Sequence, residues 1–116
     1  MDWLFDRLGN AILLVVDDRF VDSGGHTIGW IGGVSAYSLS GDHIGWFEDG
    51  VLYDSTNSAI GFTRDAVRLP SRPAIGGSPG IPGLAGVPGR PGLSESPGRP
   101  GYRGWSDLDL ASFFPS

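Results

Sequence analysis

Apolar and polar residues alternate with a period of two through the first 67 residues, and the pattern recurs every sixteen. Ile12, Ile28, Ile44 and Ile60 mark the recurrence. The four copies read LFDRLGNAILLV, FVDSGGHTIGWI, AYSLSGDHIGWF and LYDSTNSAIGFT. A period of two belongs to half-buried strands, not to helices. After its apolar pair each copy carries Asp6, Asp22, Ser38 or Asp54, and three residues later Gly9, Gly25, Gly41 or Asn57. Asp and Ser open a type I turn, because their side chains accept from amides just ahead. Gly and Asn tolerate positive φ. The spacing therefore predicts four hairpins, each with a type I turn and a bulge. The hairpins meet at Asp17-Asp18, Gly32-Gly33, Asp49-Gly50 and Asp65-Ala66, pairs suited to two-residue turns.

The fold class is all-β: eight short antiparallel strands as four 16-residue hairpin repeats. Closing the fourth loop at Asp54 and Ser58 sets Tyr53 opposite Ala59 and Leu52 opposite Ile60. One face then holds Leu4, Phe20, Ala36 and Leu52, the four isoleucines, and Leu14, Trp30, Trp46 and Phe62. That apolar face is the expected core. The second face is mixed, and Gly29, Gly45 and Gly61 on it let neighbouring rings lie flat. A flat meander leaves two raw edges, whereas fourfold repetition lets it close. The expectation is a closed or nearly closed shallow barrel with pseudo-fourfold symmetry. Its copies are too short to fold alone and share one core. The outer apolar surface wants cover from the chain's own tail, a second copy or a partner.

Beyond residue 67 the pattern changes. Residues 68–104 form a linker rich in Gly, Pro and Arg, with Gly at every third position from Gly77 to Gly104 except at Glu95. Collagen shares this composition, but so short and interrupted a run favours an extended or disordered linker, and a collagen-like trimer is disfavoured. Residues 105–116 form an aromatic hook. Ser106 is a fair N-cap for a short helix, with Asp107 and Asp109 at its positive end. Trp105, Leu108, Phe113 and Phe114 are the expected partner-binding residues, docking in cis or in trans.

Charge is segregated along the chain. The first 67 residues carry ten acids and three arginines, residues 68–104 one acid and five arginines, and residues 105–116 two acids. The net values of −7, +4 and −2 sum to −5. An acidic head argues against nucleic-acid binding. The linker arginines are expected to lean on that head. Cysteine is absent, which excludes disulfides and thiolate metal sites. The longest apolar run, Ala11 to Val16, is too short to cross a bilayer, and the acidic start lacks the basic character of a secretory signal. A cytoplasmic protein is expected, with peripheral membrane association as the alternative.

Little here points to chemistry. His43 has Asp42 beside it and Tyr37 across the hairpin, but neighbours on a strand point to opposite faces. No nucleophile accompanies them, so no catalytic residue is assigned. The recurrent Asp6, Asp22 and Asp54 are explained by turn capping, and no metal or cofactor is expected. Trp30, Trp46 and Phe62 read as core. At an open barrel end they could instead line a cup for a lipid or another apolar group.

These residues also carry a likeness. The fourfold pattern ending in Ile-Gly-Trp/Phe, the stretches GDHIGWFEDG (41–50) and GFTRDA (61–66), the triplet linker and the closing Trp-Ser with Phe113-Phe114 resemble the bacterial 4-fold beta flower proteins. The likeness implies a small flower of four hairpin petals with a triplet-bearing tail, here with Gly in the triplets. It implies no characterised function and no catalytic residues. A looser similarity, through YDSTN at 53–57, is to Tyr-Asp repeats. The expected function is a non-enzymatic protein-interaction or scaffold module, with a protein partner or self-association. The alternatives are an apolar-ligand or lipid-associating cup, and third an enzyme of unknown type.

Overall fold

The computed structural model describes residues 1–67, 69 and 73–115. Eight strands follow one another around a closed antiparallel barrel: β1 (Asp2–Phe5), β2 (Ala11–Val16), β3 (Arg19–Val21), β4 (Thr27–Gly32), β5 (Ser35–Ser38), β6 (His43–Glu48), β7 (Val51–Tyr53) and β8 (Ala59–Phe62). The molecule measures 37 × 37 × 21 Å, a disc rather than a tube.

The loops follow the turn chemistry. Gly9, Gly25, Gly41 and Asn57 have φ of 83°, 89°, 96° and 62°. Asp6, Asp22 and Asp54 each accept two amide hydrogen bonds through Oδ1, and Ser38 accepts one through Oγ. Three two-residue joints close the strand pairs Val16–Arg19, Gly32–Ser35 and Glu48–Val51. The second joint is thus Gly33-Val34, one residue later than Gly32-Gly33. Gly33, at φ 59°, takes the left-handed place that Asp17 and Asp49 take at 53°.

The register departs from simple alternation at one repeated point. Tyr53 faces Ala59, but Leu52 faces Gly61, leaving Ile60 as an extra residue. The other hairpins do the same at Ile12, Ile28 and Ile44. Every isoleucine of the ladder is therefore a bulge residue, two against one on the partner strand. Ile60 and Gly61 consequently lie toward the same side, and Gly at the second place relieves the crowding. Beyond the bulge the faces exchange. Leu14, Trp46 and Phe62 join an outer cluster with Trp3, Phe5, Val21, Val51 and Tyr53. Leu4, Leu13, Phe20, Ala36, Leu52 and Ile60 form the inner cluster, with Ile12, Ile28, Ile44 and Phe47 around it. The expected single apolar face, isoleucines together with Trp30, Trp46 and Phe62, is corrected accordingly.

The seam of the barrel is short. β1 and β8 pair only at Phe5 and Phe62. The start of β8 finds another partner: Ala59 donates to Gly104 O at 2.7 Å and accepts from Ser106 N at 2.7 Å, a parallel bridge with Trp105. The tail thereby covers an edge that would otherwise be open.

Candidate interaction surface

The triplet tail is built in nines. Pro73, Pro82, Pro91 and Pro100 each begin a unit: PAIGGSPGI, PGLAGVPGR, PGLSESPGR and PGYRGW. The triplet spacing hides this longer period in the sequence. In space each unit meets one petal. Gly76 N donates to Gly9 O, Ala85 N to Gly25 O, Ser94 N to Gly41 O and Arg103 N to Asn57 O, at 2.8, 2.9, 2.9 and 3.4 Å. The donors are nine residues apart and the acceptors sixteen. A nine-residue extended segment reaches about 28 Å, which suits a quarter turn around a disc 37 Å across. The tail is thus an extended belt around the barrel.

The loop glycines make close approach possible. A Cβ on Gly9, Gly25 or Gly41 would collide with the carbonyl of Ala74, Gly83 or Gly92. By contrast, Gly77, Gly80, Gly86, Gly89 and Gly98 face open space, so no crowded axis explains them. Every belt unit turns an apolar residue to its third place: Ile75, Leu84, Leu93 and Tyr102. Ile75 packs on the outer cluster, Leu93 lies against Gly32, and the Tyr102 ring stands edge-on to Tyr53.

In the second and third units the ninth place is an arginine. Arg90 stacks over Trp30 at 5.7 Å, pairs with Asp18 and donates to Ile31 O. Arg99 lies 5.6 Å from the Trp46 ring and 4.8 Å from that of Tyr53, pairs with Glu48 at 2.8 Å and donates to Asn57 Oδ1. The basic belt leans on the acidic head through these two anchors. Trp30, Trp46 and Phe62, for which a cup was the alternative to core, are buried on the outer face and line neither the groove at Leu8 and Leu108 nor the one at Leu39 and Pro115.

The C-terminal segment leaves the belt and crosses the barrel mouth. Trp105 packs edge-on to Phe62, with centroids 6.0 Å apart. Leu110 is fully buried against Gly61, and Phe114 lies against Gly29 and 4.8 Å from the Phe20 ring. Phe113 packs on Phe114. The segment thus joins petals two and four. Its helical part is a single 3-10 turn, Leu110–Ser112, capped by Asp109 rather than by Ser106. Ser106 instead donates to Asp54 Oδ2 at 2.5 Å and accepts from Leu108 N. Leu108 is 57% exposed and Leu8 78%. Both line a groove of about 480 Å³ with Asp6, Arg7, Ile60 and Leu110. A second groove of about 460 Å³ lies between Ile28, Leu39 and Pro115.

Asp54 ties the segment to its loop. Burial pushes its carboxyl up, but hydrogen bonds from the Ser106 and Thr56 hydroxyls and the Ser58 and Thr56 amides outweigh this and hold it below the usual aspartate value. Its contribution to stability is therefore complete above pH about 4 and is lost as the pH falls through the lower folded value. Asp54→Asn should flatten the acid limb of a stability-versus-pH curve from denaturant titrations. An unchanged limb would assign acid sensitivity to other groups. His43 is held low by burial between the rings of Tyr37 and Trp46, and its Nε2 has no hydrogen-bond partner. Among the described residues no cluster of three His, Asp or Glu could hold a metal, and no helix is long and apolar enough to cross a membrane.

Four hairpin petals in a closed eight-strand barrel match one description. The family model for the 4-fold beta flower protein covers residues 2–114. The chain belongs to this family. No curated protein and no solved structure matches it. The match runs through the belt and the mouth segment of this beta flower, so head and tail together make the family unit.

Proposed function

We propose that this chain is a non-enzymatic protein-interaction module, a braced β-flower that presents a docking edge at its mouth. The observation that carries this reading is the division of labour in the C-terminal segment. Trp105, Leu110, Phe113 and Phe114 are engaged by the chain's own barrel, whereas Leu108 projects beside Leu8 over an open groove. Exposed apolar groups on a fixed support are what interaction sites use. A cytoplasmic setting goes with this reading, and it assigns the chain no reaction. A photo-crosslinking residue at position 108 should capture one protein partner in the native host, and Leu8→Asp should abolish the adduct. The same adducts from a crosslinker at Val87, on the belt, would overturn the reading.

The apolar groove at Ile28, Leu39 and Pro115 supports a second reading, association with a lipid or another apolar group. Co-sedimentation of the full chain with liposomes tests it, and no binding across neutral and anionic lipids would sink it.

A further inference from the structure

The belt has the properties of a ligand. Each petal receives it through a main-chain hydrogen bond to a residue with positive φ, and the fourth petal adds the bridge at Ala59. The triplet glycines face open space, so the belt is gripped from one side only. Because the shared contact repeats, it cannot tell the first three petals apart. The side chains do tell them apart. Positions 14, 30, 46 and 62 carry Leu, Trp, Trp and Phe around the ring, and belt residues 81, 90 and 99 are Ile, Arg and Arg. Arg90 meets Trp30 and Arg99 meets Trp46, each with its own acidic partner.

We propose that the four loops form a receptor ring for extended Pro-Gly nonapeptides, that the belt of a second copy of this chain can occupy it, and that Arg90 and Arg99 set the register. This deepens the interaction-module reading by naming a partner, and it uses the outer face rather than the mouth. A second copy is the occupant that fits, because its belt supplies the nine-residue period and both arginines at the right separation. Exchange of an identical element is a low-cost route to association. The tethered belt works at an effective concentration near millimolar, so exchange grows with protein concentration.

The test uses full-length chains, which have no native cysteine. Val87→Cys places a donor dye on one belt, and Val34→Cys an acceptor on another head, both at exposed positions. Mixing should give energy transfer that rises with concentration and is competed by a synthetic peptide of residues 73–104. A competing peptide with Arg90→Ala and Arg99→Ala should need about tenfold higher concentration to suppress the same transfer, because a free peptide, unlike a tethered belt, has no contacts of its own to give up. On an acceptor head with Trp46→Leu, the residue type of Leu14 in the first petal, the difference between the two peptides should narrow, because Arg99 loses its ring there. No transfer up to millimolar protein, or parent and variant peptides that compete equally, overturns the proposal. The crosslink from position 108 reports on the mouth and would survive such a failure.

Discussion

Leu110→Ala is expected to destabilise the protein by about 3 kcal/mol, among the largest effects of any single truncation in this chain. Its side chain is 1% exposed and belongs to the inner cluster with Leu4, Leu13, Phe20, Leu52 and Ile60. It also fills the space left by Gly61. Truncation therefore removes buried apolar contact and leaves a void that a closed barrel cannot collapse to fill. Loss of this anchor also loosens Phe114 from Phe20 and Gly29. Denaturant unfolding should show the midpoint falling sharply for Leu110→Ala and staying within about 0.5 kcal/mol for the exposed Leu108→Ala. Equal effects at the two positions would mean that the segment does not cap the barrel.

Gly45→Ala should cost about 3 kcal/mol, while Gly86→Ala should be neutral or slightly stabilising. The same methyl group is added in both cases, so only the surroundings differ. At Gly45 it meets the backbone carbonyl of Tyr53 on the neighbouring strand, which cannot move without opening the barrel. At Gly86 it meets nothing within 4 Å, and a less flexible unfolded chain favours the folded state. Thermal unfolding of the two variants against the parent decides the matter. A small effect at Gly45 would show that β6 and β7 are free to separate there.

Much of the head was legible in the residues themselves. Asp-x-x-Gly carries its geometry locally, because the carboxylate caps its own turn and glycine supplies the positive φ, as Asp22 and Gly25 illustrate. Alternation identified the strands, and fourfold repetition implied closure, since only closure removes both edges. The mouth segment was legible as a concentration of large apolar groups in Trp105, Phe113 and Phe114. Its division into residues that dock on the chain and one, Leu108, that does not could not be read from composition. The belt was half legible. The triplet period drew attention to glycine, whereas the informative period is nine, carried by Pro73, Pro82, Pro91 and Pro100 and by the pair Arg90 and Arg99.

The sequence by itself determined the turns, the strands and the sixteen-residue unit, because each follows from chemistry within a few bonds, and the ring, because repetition of that unit leaves closure as the way to remove both edges. Only the tertiary structure decided which way the strands face. A bulge at each isoleucine costs one residue of register, and in a period-two element one residue exchanges inside for outside. That single step moves Trp30, Trp46 and Phe62 from the expected core to the outer surface, where belt arginines cover the two tryptophans and Trp105 packs on Phe62. Tertiary structure also decided that nine residues of tail answer sixteen of head, since that match depends on the circumference of the closed barrel, a length no local pattern contains.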